Sequence, residues 1–281
     1  MLYHFKAERR ILIGELLAQS GVSKSLVRKL KRIEGGITVN GQTRFTNAYA
    51  EAGEVVTLYE PEMKNDSTQP LPLEGIGILY EDKDIIVYDK PFGMPCHQSH
   101  DHVGDTLSNF HAYYTGGAVF HCINRLDKDT SGCCLVAKTS FAAHRLSGNV
   151  KKLYTAVCTG HPKNSEGVIE VPVKREDNSI IKRTCAPDGQ YAKTSYKVIA
   201  ENEKYSLCEI SLATGRTHQI RVHFSYIGHP LAGDDMYGGT REDINRQALH
   251  CSSLVFLTDD GSEVKVTSPL PEDMKKLIFQ K

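Results

Sequence analysis

Asn124 to Gly132, NRLDKDTSG, sets one carboxylate, Asp127, between a guanidinium and a turn of small residues. Arg125 and Asp127 alternate about Leu126 at what reads as the end of a strand, so the two charged side chains share one face and the leucine takes the other. Thr130, Ser131 and Gly132 supply hydroxyl donors and a pliable backbone for a tight turn into the apolar strand CCLVAK. Alone, the tripeptide RLD is more often a surface ion pair beside a turn. The rest of the chain argues otherwise.

Upstream, DIIVYDKP reads as a strand stopped by Pro91, GMPCHQSH as a loop and TLSNFHAYY as a helix; downstream, KLYTAVCTG, AKTSYKVIA, YSLCEISLATG and LVFLT are strand candidates. RTHQIRVHFSYIG has helical spacing and is expected to form a helix starting after Gly215. Strands follow one another through short turns without regular alternation with helices. The expectation for residues 75–281 is therefore an α+β domain, a mixed, largely antiparallel sheet with flanking helices. Residues 63–74 lie in a proline-rich polar stretch without hydrophobic period and read as a linker. Residues 1–62 read as a small α/β module. Two short helices break at Ser20-Gly21 and end at Gly35-Gly36, then a strand enters an Asn40-Gly41 hairpin and AGEVVTLY forms a second strand.

The chain has 281 residues, of which 40% are hydrophobic, enough for a large catalytic domain and a small module. No run approaches the roughly 18 apolar residues of a membrane span, and the N-terminus lacks a signal-peptide core, so a cytoplasmic protein without a membrane partner is expected. Its eight cysteines show no Cys-x-x-Cys pair and read as buried thiols, neither disulfides nor metal ligands. The net charge of zero argues against nucleic-acid binding, but the distribution does not. Lys24, Arg28, Lys29, Lys31 and Arg32 fall within nine residues free of acids and predict a basic face.

Four separated pieces carry the chemistry: NRLDKDTSG, the KLY of Lys152 to Tyr154, TGRTHQIRVH at Thr214 to His223, and GHPLAGDDMYGG at Gly228 to Gly239. As an ordered set, with KPFGMPCHQS upstream, they resemble the RluA-type family of RNA pseudouridine synthases over about residues 75 to 275. The two helices with a basic second helix and a strand pair resemble the S-four-like RNA-binding module, over roughly residues 9 to 60. The first resemblance implies a pseudouridine-synthase-like fold, with Asp127 as the catalytic aspartate, Tyr154 as the aromatic that stacks on the target uracil and Arg221 as the basic partner of the aspartate. It also implies an RNA substrate, and the two resemblances together suggest ribosomal RNA of the large subunit, with transfer RNA as the alternative.

The chemistry agrees with those roles. Converting uridine to pseudouridine breaks the N1–C1′ bond, turns the base and joins C5 to C1′ without change of oxidation state, so no cofactor is expected. It needs one ionised carboxylate, which a close guanidinium favours. Arg125, His97, Arg216 and His218 are the expected substrate or RNA contacts, together with the basic run from Lys24 to Arg32. His97, His100 and His102 lack the Cys and Glu companions of a zinc deaminase, and no metal site is assigned to them. A monomer is expected. The competing readings are a non-catalytic RNA-binding or ribosome-assembly protein, which has no need for all three catalytic groups, and a glycosidase, which normally needs a second acid.

Overall fold

The N-terminal segment of the computed structural model, which describes residues 1–65 and 67–280, builds β1 (Leu2–Lys6), β2 (Ile11–Leu12), α1 (Ile13–Gln19), α2 (Lys24–Leu30), β3 (Ile37–Val39), β4 (Gln42–Thr43), β5 (Tyr49–Ala50) and β6 (Val55–Tyr59). Strands in the order β1-β6-β3-β4 form an antiparallel sheet, and the helices bury Ile13, Leu17, Leu26 and Leu30 in one core with Val39, Val56 and Leu58. Asn40 and Gly41 take positive φ of 47° and 82°, the turn that an Asn-Gly hairpin demands. The second helix ends at Leu30, earlier than the glycine pair implied. Gly36 instead lets the chain return against the helix end, since a Cβ there would sit 2.3 Å from the Leu30 carbonyl oxygen. Strand β1 was not foreseen from the sequence.

The remainder contributes β7 (Gly77–Glu81), β8 (Ile85–Lys90), α3 (Leu107–Tyr114), β9 (His121–Cys122), β10 (Ser131–Ala137), α4 (Ser140–Leu146), β11 (Lys151–Thr159), β12 (Glu166–Ile169), β13 (Val173–Arg175) and β14 (Arg183–Cys185). It continues with β15 (Thr194–Glu201), β16 (Tyr205–Leu212), α5 (Gln219–Tyr226), β17 (Leu249–Leu257), β18 (Glu263–Thr267) and α6 (Glu272–Phe279). The large sheet runs β12-β15-β16-β11-β17-β10-β8-β7, with β18 added to β17 and β9 to β10. Its pairs are antiparallel except β10 with β17, so the mixed, largely antiparallel sheet expected from the sequence is what forms. Strand β10 is buried along its whole length and carries no charged side chain, as a central strand covered on both faces requires.

The two cores meet at one side chain. Phe141 of α4 is buried in the N-terminal core, 4.4 Å from the Tyr3 ring centroid to centroid. Glu60 accepts the Ser140 and Phe141 N–H groups at 2.8 and 3.2 Å, capping α4 from across the junction. Residues between the cores are laid on α3: the Asn65 N–H reaches the Gly117 carbonyl at 2.9 Å, and the Leu71 N–H the Asn109 carbonyl at 3.2 Å. No helix is long and apolar enough to cross a membrane among the described residues.

Candidate active site

Asp127 sits on the extended segment between β9 and β10. Arg125 is exposed, Leu126 buried and Asp127 half-buried, so the alternation holds, although the segment is not a strand. Its form comes from side chains. Asn124, buried, donates to the Cys133 carbonyl at 2.9 Å and accepts the Leu135 N–H at 2.7 Å, tying the segment to β10 as a neighbouring strand would. The Lys90 ammonium, at the end of β8, is fully buried and donates to the carbonyls of Pro91, Met94 and Lys128 at 2.8, 2.7 and 3.1 Å. Burial pulls its pKa down, but all three hydrogens find acceptors, and one lysine thereby locks the KPFGM loop to the residue after Asp127. The turn itself is Asp127 to Thr130, closed by the Thr130 N–H on the Asp127 carbonyl at 3.1 Å; Ser131 and Gly132 already belong to β10.

Arg221, on α5, donates from Nη1 to Asp127 Oδ2 at 3.1 Å. Its Nε and Nη2 are held by both oxygens of Asp234, at 2.7 and 2.8 Å, in the fork geometry that fixes a guanidinium in a plane. Burial opposes the charge of Arg221, but Asp234 and then Asp127 outweigh it and raise the pKa above the usual arginine value. The Tyr237 ring lies beneath the guanidinium, 5.0 Å away. Tyr237 also accepts the Arg183 N–H at 2.8 Å, which leaves its single hydroxyl proton for His218 Nδ1 at 2.9 Å. With Nδ1 accepting that proton, a neutral His218 carries its own on Nε2, which lies 3.8 Å from Asp127 Oδ2. Burial lowers the pKa of His218, consistent with that neutral form.

The helix expected after Gly215 begins only at Gln219, because Gln219, itself buried, uses its side chain to hold the preceding loop: Oε1 accepts from the Thr214 hydroxyl and the Arg216 N–H at 2.8 and 2.9 Å. His218 is accordingly outside the helix, in the left-handed region at φ 57°, a conformation that costs energy for a non-glycine residue and that clusters at functional sites. A helix from Gly215 would have put His218 and Arg221, three apart, on one face; His218 instead precedes the helix, yet both reach Asp127.

Tyr154 lies on β11, where the pairing with β17 slips by one residue: Leu153 faces Ser253 but Tyr154 faces Cys251. This bulge re-aims the ring. Tyr154 is 7% exposed, and burial holds its phenol protonated. Asp127, Tyr154 and Arg221 line one cavity of about 770 Å³, and Arg125, His97, Arg216 and His218 line it too. The basic run lies elsewhere, on α2 and just beyond it; Lys24, Arg28, Lys31 and Arg32 are exposed and Lys29 half-buried. The loop histidines are not gathered: His97 packs on Phe120, His100 meets Asp101, and His102 pairs with Asp105 at 2.6 Å. Sequence reasoning missed Asp234. It belongs to GHPLAGDDMYGG, and the available signal was an acidic doublet at a turn in a chain whose key arginine needed an anchor.

A family profile described as RNA pseudouridylate synthase matches residues 84–226. An uncharacterised RNA pseudouridine synthase of Bacillus subtilis is 40% identical over 95% of this chain and 98% of its own length. Ribosomal large subunit pseudouridine synthase D of Zymomonas mobilis is 34% identical over 78% of this chain and 75% of its own. Ribosomal large subunit pseudouridine synthase C of Vibrio vulnificus is 31% identical over 92% and 88%. Among solved structures, human RNA pseudouridylate synthase domain containing 1 superposes with a TM-score of 0.60 at 28% identity, over 72% of this chain and 86% of that one. The chain therefore belongs to the RluA-type family of RNA pseudouridine synthases and is an isomerase acting on RNA.

Proposed function

We propose that this enzyme isomerises uridine in large-subunit ribosomal RNA, with Asp127 as the catalytic carboxylate, Tyr154 as the platform for the extruded base and Arg221 as the partner that keeps Asp127 charged. The observation that carries the reading is the convergence of carboxylate, aromatic ring and anchored guanidinium on one cavity. Attack at C1′ and removal of a C2′ proton both use an ionised carboxylate, and both let uracil leave as a delocalised anion that no second acid need protonate. Arg221, pinned by Asp234, supplies positive charge at a fixed position, so no reorganisation is needed as the reaction proceeds. Taking the base out of its stack costs a few kcal/mol, against which stacking on Tyr154 contributes roughly 1–3 kcal/mol. Arg125, exposed at the cavity wall, is placed to hold a phosphate or fill the vacated stack.

The ribosomal substrate is supported by the two relatives named for the large subunit and by a basic helix on a module resembling the S-four-like fold. Pseudouridine mapping of total RNA from cells with and without the gene tests it. One or more large-subunit sites should lose the modification, and Asp127→Asn should not restore them although the purified variant binds the RNA with unchanged affinity. Loss confined to transfer RNA overturns the substrate. Near-wild-type single-turnover activity of Asp127→Asn overturns the catalytic assignment.

A further inference from the structure

We propose that Cys96, Cys122 and Cys134 form a thiolate site for one divalent thiophilic ion of the zinc class, with its fourth position open to the catalytic cavity. The three residues come from the loop after β8, from β9 and from β10, with 25 and 11 residues between successive partners, so no local motif announces them. The fold gathers their sulfurs within 4.8 Å of one another. Cys96 and Cys134 are 3.9 Å apart, and Cys122 and Cys134 3.7 Å. An ion bound at a zinc–sulfur distance of about 2.3 Å in tetrahedral geometry requires sulfur separations of about 3.8 Å. Two of the three sulfur separations thus already match the edges of such a tetrahedron, and the third, Cys96 to Cys122, lies within 4.8 Å. Cys96 and Cys122 also line the catalytic cavity, which gives an ion a route in and a water its place.

Charge selects the ion. Lys90 is fully buried and its ammonium meets only carbonyl oxygens, so it has no ion-pair partner among the described residues. A dication held by three thiolates carries one net negative charge, which Lys90 neutralises. A monovalent ion would leave two negative charges and a trivalent one none, and soft sulfur ligands exclude magnesium and calcium. The ligands also carry the arrangement one typically finds outside such a centre. The Leu126 N–H donates to Cys96 Sγ at 3.3 Å, a bond that a thiolate accepts; in the ion-free protein the thiols of Cys122 and Cys134 donate to the Asn124 carbonyl at 3.5 Å and that of Cys96 to the Leu126 carbonyl at 3.4 Å, and these three protons are the ones an ion displaces. The ion would therefore clamp residues 124–126 immediately before Asp127, as a positioning element outside the reaction.

Binding is read on the full-length protein, reduced and chelated under anaerobic conditions, then titrated with zinc or cadmium. The expected result is one tightly held ion per chain, a thiolate-to-cadmium charge-transfer band, an X-ray absorption shell of three sulfurs and one light atom, and slower hydrogen exchange at the Leu126 amide. Cys122→Ser, which changes a half-buried residue, and Cys134→Ser should each abolish stoichiometric binding. Cys208→Ser, in the separate Cys158–Cys208 contact, should not. Absence of stoichiometric binding by the wild type, a shell without three sulfurs, or binding unchanged in Cys122→Ser overturns the proposal; the wild-type measurements decide the matter even where a variant fails to fold.

Discussion

At the scale of single residues, Arg221 joins two carboxylates that differ in their relation to solvent. The Asp234 side chain is sealed from water, while that of Asp127 is 28% exposed. Arg221→Met alone strands a buried carboxylate, at a cost of about 3–5 kcal/mol in stability, and confounds folding with chemistry. Replacing both members, Arg221→Met with Asp234→Leu, removes that penalty at no change in net charge and takes from Asp127 the guanidinium donor that touches it. The single-turnover rate should then fall by at least about tenfold, the value of about 1.4 kcal/mol of lost transition-state stabilisation, with RNA affinity preserved. A wild-type rate in a folded, RNA-bound double variant rejects the partnership of Arg221 with Asp127. His218 was expected among the RNA contacts, but its Nε2 faces Asp127. His218→Gln should lower the single-turnover rate by a few-fold, the order of magnitude of about 1 kcal/mol of polar contact that tightens on Asp127 as substrate binds, with RNA affinity preserved. Tyr237→Phe, which removes the hydroxyl that orients the imidazole, should act in the same direction. Weaker RNA binding at constant rate would restore the RNA-contact assignment instead. Asp127, Tyr154 and Arg221 were legible because each lies in an ordered motif. Asp234 was not, because a residue that acts by holding another leaves its evidence in space.

Among the elements, β10 and β11 fix the site by departing from regular geometry. Gly132 takes φ +104° at the one parallel pairing of the sheet, where a Cβ would stand 2.3 Å from the Cys251 carbonyl oxygen and 2.8 Å from the His250 ring. Gly132→Ala therefore faces both a forbidden backbone and a clash with main chain, and should cost at least about 2–3 kcal/mol, seen as a lower denaturant midpoint at unchanged slope. A midpoint within error of wild type would mean that β10 and β17 can separate without penalty. The strands themselves were legible wherever apolar and β-branched residues cluster, as in DIIVYDKP and YSLCEISLATG. Short pairings such as β9, β13 and β14 were not, since two or three residues give no period to read. The start of α5 was misplaced for a related reason: Gln219 has no special signature as a helix opener, and its hold on Thr214 and Arg216 exists only after the loop folds back.

Over the whole molecule, buried imidazoles couple the fold to pH. His111 is fully buried beside the Tyr88 hydroxyl, and burial lowers its pKa to about 4. The unfolded chain, with its histidine near 6.5, binds the proton first, so this stability is complete above the unfolded value and lost as pH falls toward the folded one. His111→Phe should flatten the fall in stability between about pH 7 and about pH 5 by ~2 kcal/mol, read from denaturant curves at each pH. A fall as steep as that of the wild type would remove His111 from the account. The junction of the two cores decides how RNA anchoring is to be tested. Deleting residues 1–62 would expose Phe141 and uncap α4, so loss of activity in such a truncation would not report on RNA contact. Exposed side chains on α2 avoid this, because Lys24, Arg28 and Lys31 have no ion pair among the described residues and their aliphatic stems lie outside the core. Each phosphate contact releases about one counterion, so replacing all three by Gln should make the log–log salt dependence of RNA affinity shallower by about 2–3 units. KM for a long RNA should rise while the single-turnover rate at saturating RNA stays that of the wild type, because the three side chains do not line the catalytic cavity. An unchanged salt slope in the folded triple variant would show that the basic face of α2 does not meet the phosphate backbone, and would leave RNA anchoring to the cavity rim around Arg125 and Arg216.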